Sequence, residues 1–338
     1  MNFYEKIKEN FAKRKVVILG DLVADQFLRG TISRVSREAP VFILRHDETE
    51  TLAGGAANAA VNVASLGGKA VAVGLIGKDS NGDALFKTIE SSNVNCNSIV
   101  VTEKFQTITK VRVLAGHHYA LRQQVIRIDY ENPVKIDQEI RAKLKQNLIV
   151  ATGDANAIIV SDYSENPELG VVNSELAELA LQISKDKQIP LVVDSRFRLQ
   201  NYRGATSATP NQDEVEQILG KNFAENDCIK LLENLGYQSL LVTRGNKGML
   251  LIEKDKNSLE IEAVGSKEPV DVTGAGDTVI ATYALSLASG LSFAESAKIA
   301  NHAGGIVVMK KRTATASIEE LLQSLKNHEI IEQKATTL

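Results

Sequence analysis

Short apolar runs of β-forming residues alternate along the chain with segments whose apolar positions recur every three or four residues. The runs KVVILGD (15–21), KAVAVGLIG (69–77), AIIVSD (157–162), PLVVD (190–194) and SLLVTRG (239–245) predict strands buried on both faces. Between them the longer period predicts helices near 53–68, 82–89, 136–150 and 168–187, two more between 211 and 236, a pair across 275–309 broken near Gly290, and a last one near 317–327. At the N-terminus Phe3, Ile7 and Phe11 share one face of an amphipathic helix over 1–13. Two regions break this rhythm. Segments 26–33 and 41–46 are rich in β-formers, and TITKVRVLA and LRQQVIRIDY within 98–130 alternate polar and apolar residues, as in a sheet with one wet face.

Strands alternating with helices specify an α/β doubly wound sheet with helices on both faces. The segments near 26–46 and 98–130 do not fit that sheet and predict a small β lid inserted at two points. No internal repeat or low-complexity linker divides the chain. The expectation is therefore one domain over 1–330 followed by a tail at 331–338.

Composition narrows the function. Of 338 residues, 43% are hydrophobic and 24% charged, the balance of a globular chain. A net charge of -3 and the absence of tryptophan argue against a nucleic-acid partner. The longest uncharged stretches are rich in Gly, Ala, Ser and Thr, so no membrane span is expected. The charged N-terminus does not read as a secretory signal. Cys96 and Cys228 are too few for a disulfide framework, which points to a reduced compartment, the cytoplasm. There is no HExxH or CxxC for zinc, no GxxxxGK[ST] loop, no GxGxxG after the first strand and no GxSxG elbow.

The densest local chemistry lies in VDVTGAGDTVIATYALS, 270–286. Gly274, Ala275 and Gly276 open a helix whose free N–H groups and dipole attract an anion. Asp277 on its first turn places a carboxylate base beside that anion, the pairing that phosphoryl transfer to an alcohol requires. The same Asp could simply stabilise the helix start. AGGAANAAVNVASLGG (53–68) presents Gly54 and Gly55 for close backbone approach and Asn58 as both donor and acceptor. PNQDE (210–214) offers oxygen ligands for Mg²⁺ in Asn211 and Glu214, and reads equally as a helix N-cap with its first-turn Glu.

Together, DVTGAGDT and the Gly-rich 53–68 segment resemble the two signatures of the PfkB/ribokinase-like carbohydrate kinases, over Val16 to about Ser317. TISRVSREAPV (31–41), GGAANAAVNVASLG (54–67), TITKVRVL (107–114), QQVIRIDYE (123–131) and IVSDY (159–163) are most similar to the kinase domain of the heptose-7-phosphate kinases. The resemblance implies a ribokinase-like fold and transfer of the γ-phosphate of Mg·ATP to a sugar hydroxyl. It implies Asp277 as catalytic base and Gly274 to Gly276 as the anion hole. Asp21, Gly54, Gly55 and Asn58 become sugar ligands. Asn211, Thr243, Gly245, Gly248 and Asn301 fall on the nucleotide side, and Glu214 on Mg²⁺ through water. A homodimer through the lid is a frequent arrangement in that family. The competing readings are a kinase for a free sugar, another sugar phosphate or a nucleoside, and a catalytically silent sugar- or nucleotide-binding protein.

Three departures touch the substrate and the ions. DSRFR (194–198) stands where the heptose kinases carry Asp-Pro-Lys-Gly, and SENP (164–167) where they carry Lys-Gly. Arg312 stands where the family's monovalent-cation loop has a glycine, so a cation site built on Asp271 and Thr273 is left open, with the arginine itself as the expected occupant. Lys110 and Arg112 alternate onto one strand face, and with Arg34, Arg37, Arg196 and Arg198 they form a cationic set suited to a substrate phosphate.

Overall fold

The computed structural model describes residues 7, 9–117, 122–266 and 268–336. Its strands are β1 (Lys15–Gly20), β2 (Leu22–Val35), β3 (Phe42–Gly55), β4 (Lys69–Gly77), β5 (Asn95–Thr102), β6 (Thr109–Gly116), β7 (Gln123–Tyr130), β8 (Ala157–Asp162), β9 (Leu191–Ser195), β10 (Ser207–Ala208), β11 (Ser239–Thr243), β12 (Met249–Glu253) and β13 (Leu259–Ile261). Nine form one sheet in the order β13-β12-β11-β10-β9-β8-β1-β4-β5, and four form a second in the order β3-β2-β6-β7. In the large sheet β11 with β12 and β12 with β13 pair antiparallel, and the other neighbours pair parallel.

The apolar runs work as expected of strands covered on both faces. Val16 and Ile18 of β1 enter one core with the helices Ala56–Ser65, Ala275–Ala288 and Phe293–Val307. Val17 and Leu19 enter the opposite core with Gln138–Ala151, Ser174–Lys187 and Glu225–Leu235. Each such side chain contributes about 1.5–3 kcal/mol by leaving water. Strand order reverses between β1 and β8, so a crevice opens at their carboxyl ends, where such sheets hold ligands. Gly20 ends β1 there because a Cβ would run into the Ser161 carbonyl of β8.

Several boundaries differ from the sequence reading. Asn95–Thr102 belongs to the large sheet, parallel to β4, so the inserted pair begins at Thr109 rather than near 98. As the sheet's last strand, β5 buries only part of its surface, which imitates the alternation of a half-wet sheet. β2 and β3 are longer than 26–33 and 41–46, because their inner ends run beneath the large sheet's helices and lose the polar alternation. The helix expected at 53–68 starts at Ala56, after Gly54 and Gly55 have closed β3. The one expected at 168–187 starts at Ser174, where the Asn173 side chain accepts the Leu176 N–H at 3.0 Å. The β12–β13 hairpin was not anticipated, and the last helix runs Ile318–Thr336, into the expected tail. Ile7 and Phe11 are buried as the N-terminal pattern requires, while Phe3 lies outside the described residues. Among the described residues no helix is long and apolar enough to cross a membrane.

Candidate active site

At the mouth of the crevice, the 275–288 helix is apolar all round and enclosed, so its N-terminus is held rigidly. Gly274 has φ 77°, and a Cβ there would lie 2.5 Å from Asn58 Nδ2, so only glycine fits. Gly276 differs: a Cβ would meet nothing within 4 Å. The protein itself has no steric need for glycine there, whereas an approaching anion does.

Asp277 is 7% exposed. Its Oδ2 accepts Asn58 Nδ2–H at 2.7 Å, and its Oδ1 lies 2.7 Å from the Tyr163 hydroxyl. Burial, offset by the Asn58 hydrogen bond and reinforced by the charge of Asp194, pushes the Asp277 carboxyl up to about 7. The Tyr163 hydroxyl also lies 2.6 Å from Asp194 Oδ2, at the end of β9. Burial pushes the Asp194 carboxyl up to about 6 and the Tyr163 phenol well above its ordinary value. Tyr163 and Asp194, within the IVSDY and DSRFR segments, carried no expected role.

Of the expected sugar ligands, Asp21 is fully buried, and its oxygens accept N–H groups of Tyr163 (3.0 Å), Ser164 (3.2 Å) and Val171 (2.8 Å). It fastens the 163–171 loop rather than presenting a free carboxylate. Burial and the neighbouring Asp162 raise its pKa. Asn58 is likewise committed inward: Nδ2 holds Asp277 and Oδ1 accepts from Asn62, whose own Oδ1 accepts the Thr278 hydroxyl. Gly55 adopts φ 57° at the turn from β3 into the helix, where a Cβ would come 2.8 Å from the Asp21 carbonyl. Gly54 lies against Asp25, 2.8 Å from its Oδ2 by the same measure. Asp25 was missed, though its place four residues after Asp21 was a legible signal. It is near enough to raise the Asp277 pKa, and it binds Arg112 Nη1 at 2.7 Å. Arg112 is therefore half of a buried ion pair and not a free phosphate receptor.

Lys110 and Arg196 fare differently. They line a cavity of about 360 Å³ together with Asp21, Tyr163, Ser164 and Asn166. Among the described residues neither has a carboxylate within ion-pair distance. Arg198 is paired with Asp162 beneath that cavity, which removes it from the cationic set.

On the other side of Asp277, Thr243, Gly245, Gly248, Ala275, Gly276 and Asn301 line a second cavity of about 170 Å³. Residues from three separate stretches of the sequence, 243–248, 275–276 and 301, converge there. Asn301 is anchored through Nδ2 to the Glu262 carbonyl at 2.7 Å. Asn211 bridges to Thr243 beside this cavity, and its side chain and that of Glu214 cap each other's backbone N–H at 2.9 Å each. The capping reading thus holds. Glu214 nonetheless sits where burial and the charge of Asp194 push its carboxyl up to about 7. Oxygen donors carrying uncompensated negative charge fit a hard cation such as Mg²⁺. Among the described residues no three His, Cys, Asp or Glu side chains converge to form a cage for one.

The loop of Asp271 and Thr273 is closed on itself. Asp271 accepts N–H groups of Thr273 at 3.0 Å and Arg312 at 2.9 Å. Arg312 has φ 69°, the left-handed backbone that a glycine adopts without cost. Its side chain does not occupy the loop, contrary to expectation, but pairs with Glu50 of β3, which Arg29 also holds at 2.9 Å.

The pattern of the pfkB family carbohydrate kinases matches residues 13–321. The bifunctional protein HldE of Haemophilus influenzae is 40% identical over 318 residues, covering 92% of this chain and 63% of that protein. HldE of Hydrogenovibrio crunogenus is 38% identical over 322 residues, 94% of this chain and 64% of that protein. The chain thus spans under two thirds of the length of these curated relatives. Among solved structures, Arabidopsis thaliana ribokinase complexed with ribose and ATP superposes with a TM-score of 0.70 at 19% identity, covering 93% and 98% of the two chains. Escherichia coli phosphofructokinase-2 in complex with potassium gives 0.72 at 17%, covering 92% and 97%. These two share the fold.

Proposed function

The chain belongs to the pfkB family of carbohydrate kinases, and on that premise we propose that it transfers the γ-phosphate of ATP to a hydroxyl of a phosphorylated sugar, with heptose 7-phosphate the first candidate. The observation that carries the reading is Asp277: an enclosed carboxylate near neutrality, held by Asn58 and Tyr163, one residue beyond a glycine that leaves room for an anion. ATP lies along the 243–248 turn with its terminal phosphate at Gly274 to Gly276. The sugar lies over Gly54, Gly55 and Asp25, with the four-stranded sheet as a lid above it. Asp277 takes the acceptor proton as the hydroxyl oxygen attacks the γ-phosphorus, the bond to the bridging oxygen breaks, and ADP leaves with that electron pair. Glu214 would hold Mg²⁺ through water, and the ion supplies neutralisation of phosphate charge.

Lys110 and Arg196 support a substrate that already carries a phosphate, and the HldE relatives support a heptose. The reading also includes action in the cytoplasm, consistent with two free cysteines, and a homodimer through the lid, whose strand β7 exposes Val125, Ile126 and Ile128. An ADP-release screen over heptose 7-phosphate, other sugar phosphates, free sugars and nucleosides tests the activity. Turnover confined to sugar phosphates is expected. Equal turnover on free sugars or nucleosides overturns the substrate class, and no acceptor-dependent turnover leaves a binding protein.

A further inference from the structure

Two buried carboxyls share one hydroxyl. Tyr163 Oη lies 2.6 Å from Asp194 Oδ2 and 2.7 Å from Asp277 Oδ1, but a phenol has one proton to donate. If both carboxylates were ionised, one contact would set an anionic oxygen against a lone pair in an enclosed site. The array therefore holds a second proton on one of the two acids, in either of two orders. With Asp194 protonated, it donates to Tyr163 Oη, and Tyr163 donates to Asp277, which also accepts from Asn58 and remains a base. With Asp277 protonated, both O–H bonds point the other way and no base exists.

We propose that Asp194, acting through Tyr163, is a positioning residue that holds the array in the first order and so keeps Asp277 the proton acceptor. The surrounding charges favour this. Asp277 faces Asn58 from the 56–65 helix, Tyr163 from the loop after β8, Asp194 from β9 and Asp25 from β2, the last neutralised by Arg112. Asp194 faces Tyr163, Asp162, Arg196 and, from the 212–219 helix, Glu214, so two further carboxylates promote its protonation while Arg196 opposes it. Burial raises both carboxyls, Asp277 to about 7 and Asp194 to about 6, a gap of about one pH unit that by itself favours the proton on Asp277, so the hydrogen bond through Tyr163 is what turns the order toward Asp194.

The inference rests on Asp277 being the base and is tested by the pH dependence of kcat/KM at fixed Mg·ATP. In Asp194→Asn the amide donates permanently to Tyr163 and a negative charge is lost. The acid limb, expected near pH 7 in the wild type, should move down by about one unit. In Tyr163→Phe the base loses a donor and the limb should move up by a similar amount. In Tyr163→Phe/Asp194→Asn most of the downward shift should vanish, because the amide has nothing to act through. Limbs that stay put while kcat falls mean that the two residues are merely structural. A full downward shift that persists in the double variant makes Asp194 a bare charge, and either result overturns the proposal. Absence of any acceptor-dependent turnover in the wild type is the separate failure of the kinase reading. Thermal melts of the three variants show whether each is folded at the pH of the assay.

Discussion

On the side of Asp277 proposed for the nucleotide, the wall is Thr243, Gly245, Gly248, Val264, Ala275 and Gly276, small or apolar groups that would meet a ligand largely with their backbone. On the opposite side it is Asp21, Lys110, Tyr163 and Arg196, whose ionisable side chains converge from the β1–β2 junction, β6 and the residues just after β8 and β9. The first wall suits a partner that many reactions share. The second suits one particular substrate, since polar groups discriminate by what they leave unpaired. On the proposed function, the substrate is selected by the lid strands and by the segments 164–167 and 194–198.

The largest effect should come from the group between the walls. Asp277→Asn keeps the shape but cannot take the proton, so kcat should fall by about 10²–10⁴ with ATP binding nearly intact. Retention of more than about a tenth of wild-type kcat in single-turnover measurements would remove Asp277 from the chemistry. Next, Lys110→Ala and Arg196→Ala should each lower kcat/KM about tenfold to a hundredfold for a sugar phosphate and hardly at all for its unphosphorylated sugar. Equal losses on both sugars would erase the distinction between the walls. Gly276→Ala fills space that only a ligand needs, so it should fold normally yet raise KM for ATP by roughly tenfold, about 1.4 kcal/mol, with the sugar KM unchanged. An unaltered ATP KM would place the phosphates elsewhere.

The smallest effect separates function from stability. Because the folded-state pKa of Asp277 is raised to about 7, the contribution of this group to wild-type stability declines as pH rises from the unfolded value near 4 through 7. Asp277→Asn does not ionise. Its advantage in urea unfolding should therefore be slight at pH 5 and grow to about 1–3 kcal/mol at pH 8. A gap independent of pH would mean that the carboxyl is not buried at a cost.

How much of this could be read from the chain depended on the kind of signal. Parallel strands covered on both faces announced themselves as apolar runs, and the alternation of Val16 to Leu19 between two cores follows from geometry alone. β5 was misplaced because an edge strand of a large sheet and a strand of a half-wet one bury similar patterns of residues. At the site, Gly274 to Asp277 were legible because glycine and a first-turn carboxylate have few other uses together. Asp21 and Asn58, expected as sugar ligands, lie at the crevice with their hydrogen bonds engaged within the protein. Sequence shows that a polar residue faces the crevice, and only three-dimensional neighbours decide whether its hydrogen bonds are already spent. Tyr163 and Asp194 were overlooked for the same reason, since their importance lies in contacts with residues 114 and 31 positions away, while Asp25, whose place after Asp21 was legible, gains its ion pair from a residue 87 positions away.

The position of β1 has a consequence for how the molecule is made. This first strand lies in the middle of the sheet, and Lys15 N–H bonds Asn156 Oδ1 across 141 positions of sequence. At a synthesis rate of about 5–20 residues per second, β1, β4 and β5 leave the ribosome roughly 10 s before β8 can cover their open edge. For that interval the N-terminal third of the chain presents an unpaired, wholly apolar parallel edge. Expression yield should therefore depend on temperature and on holdase chaperones more than the final stability suggests. Mutations that weaken β8 should deplete soluble protein before they weaken any enzyme that is recovered.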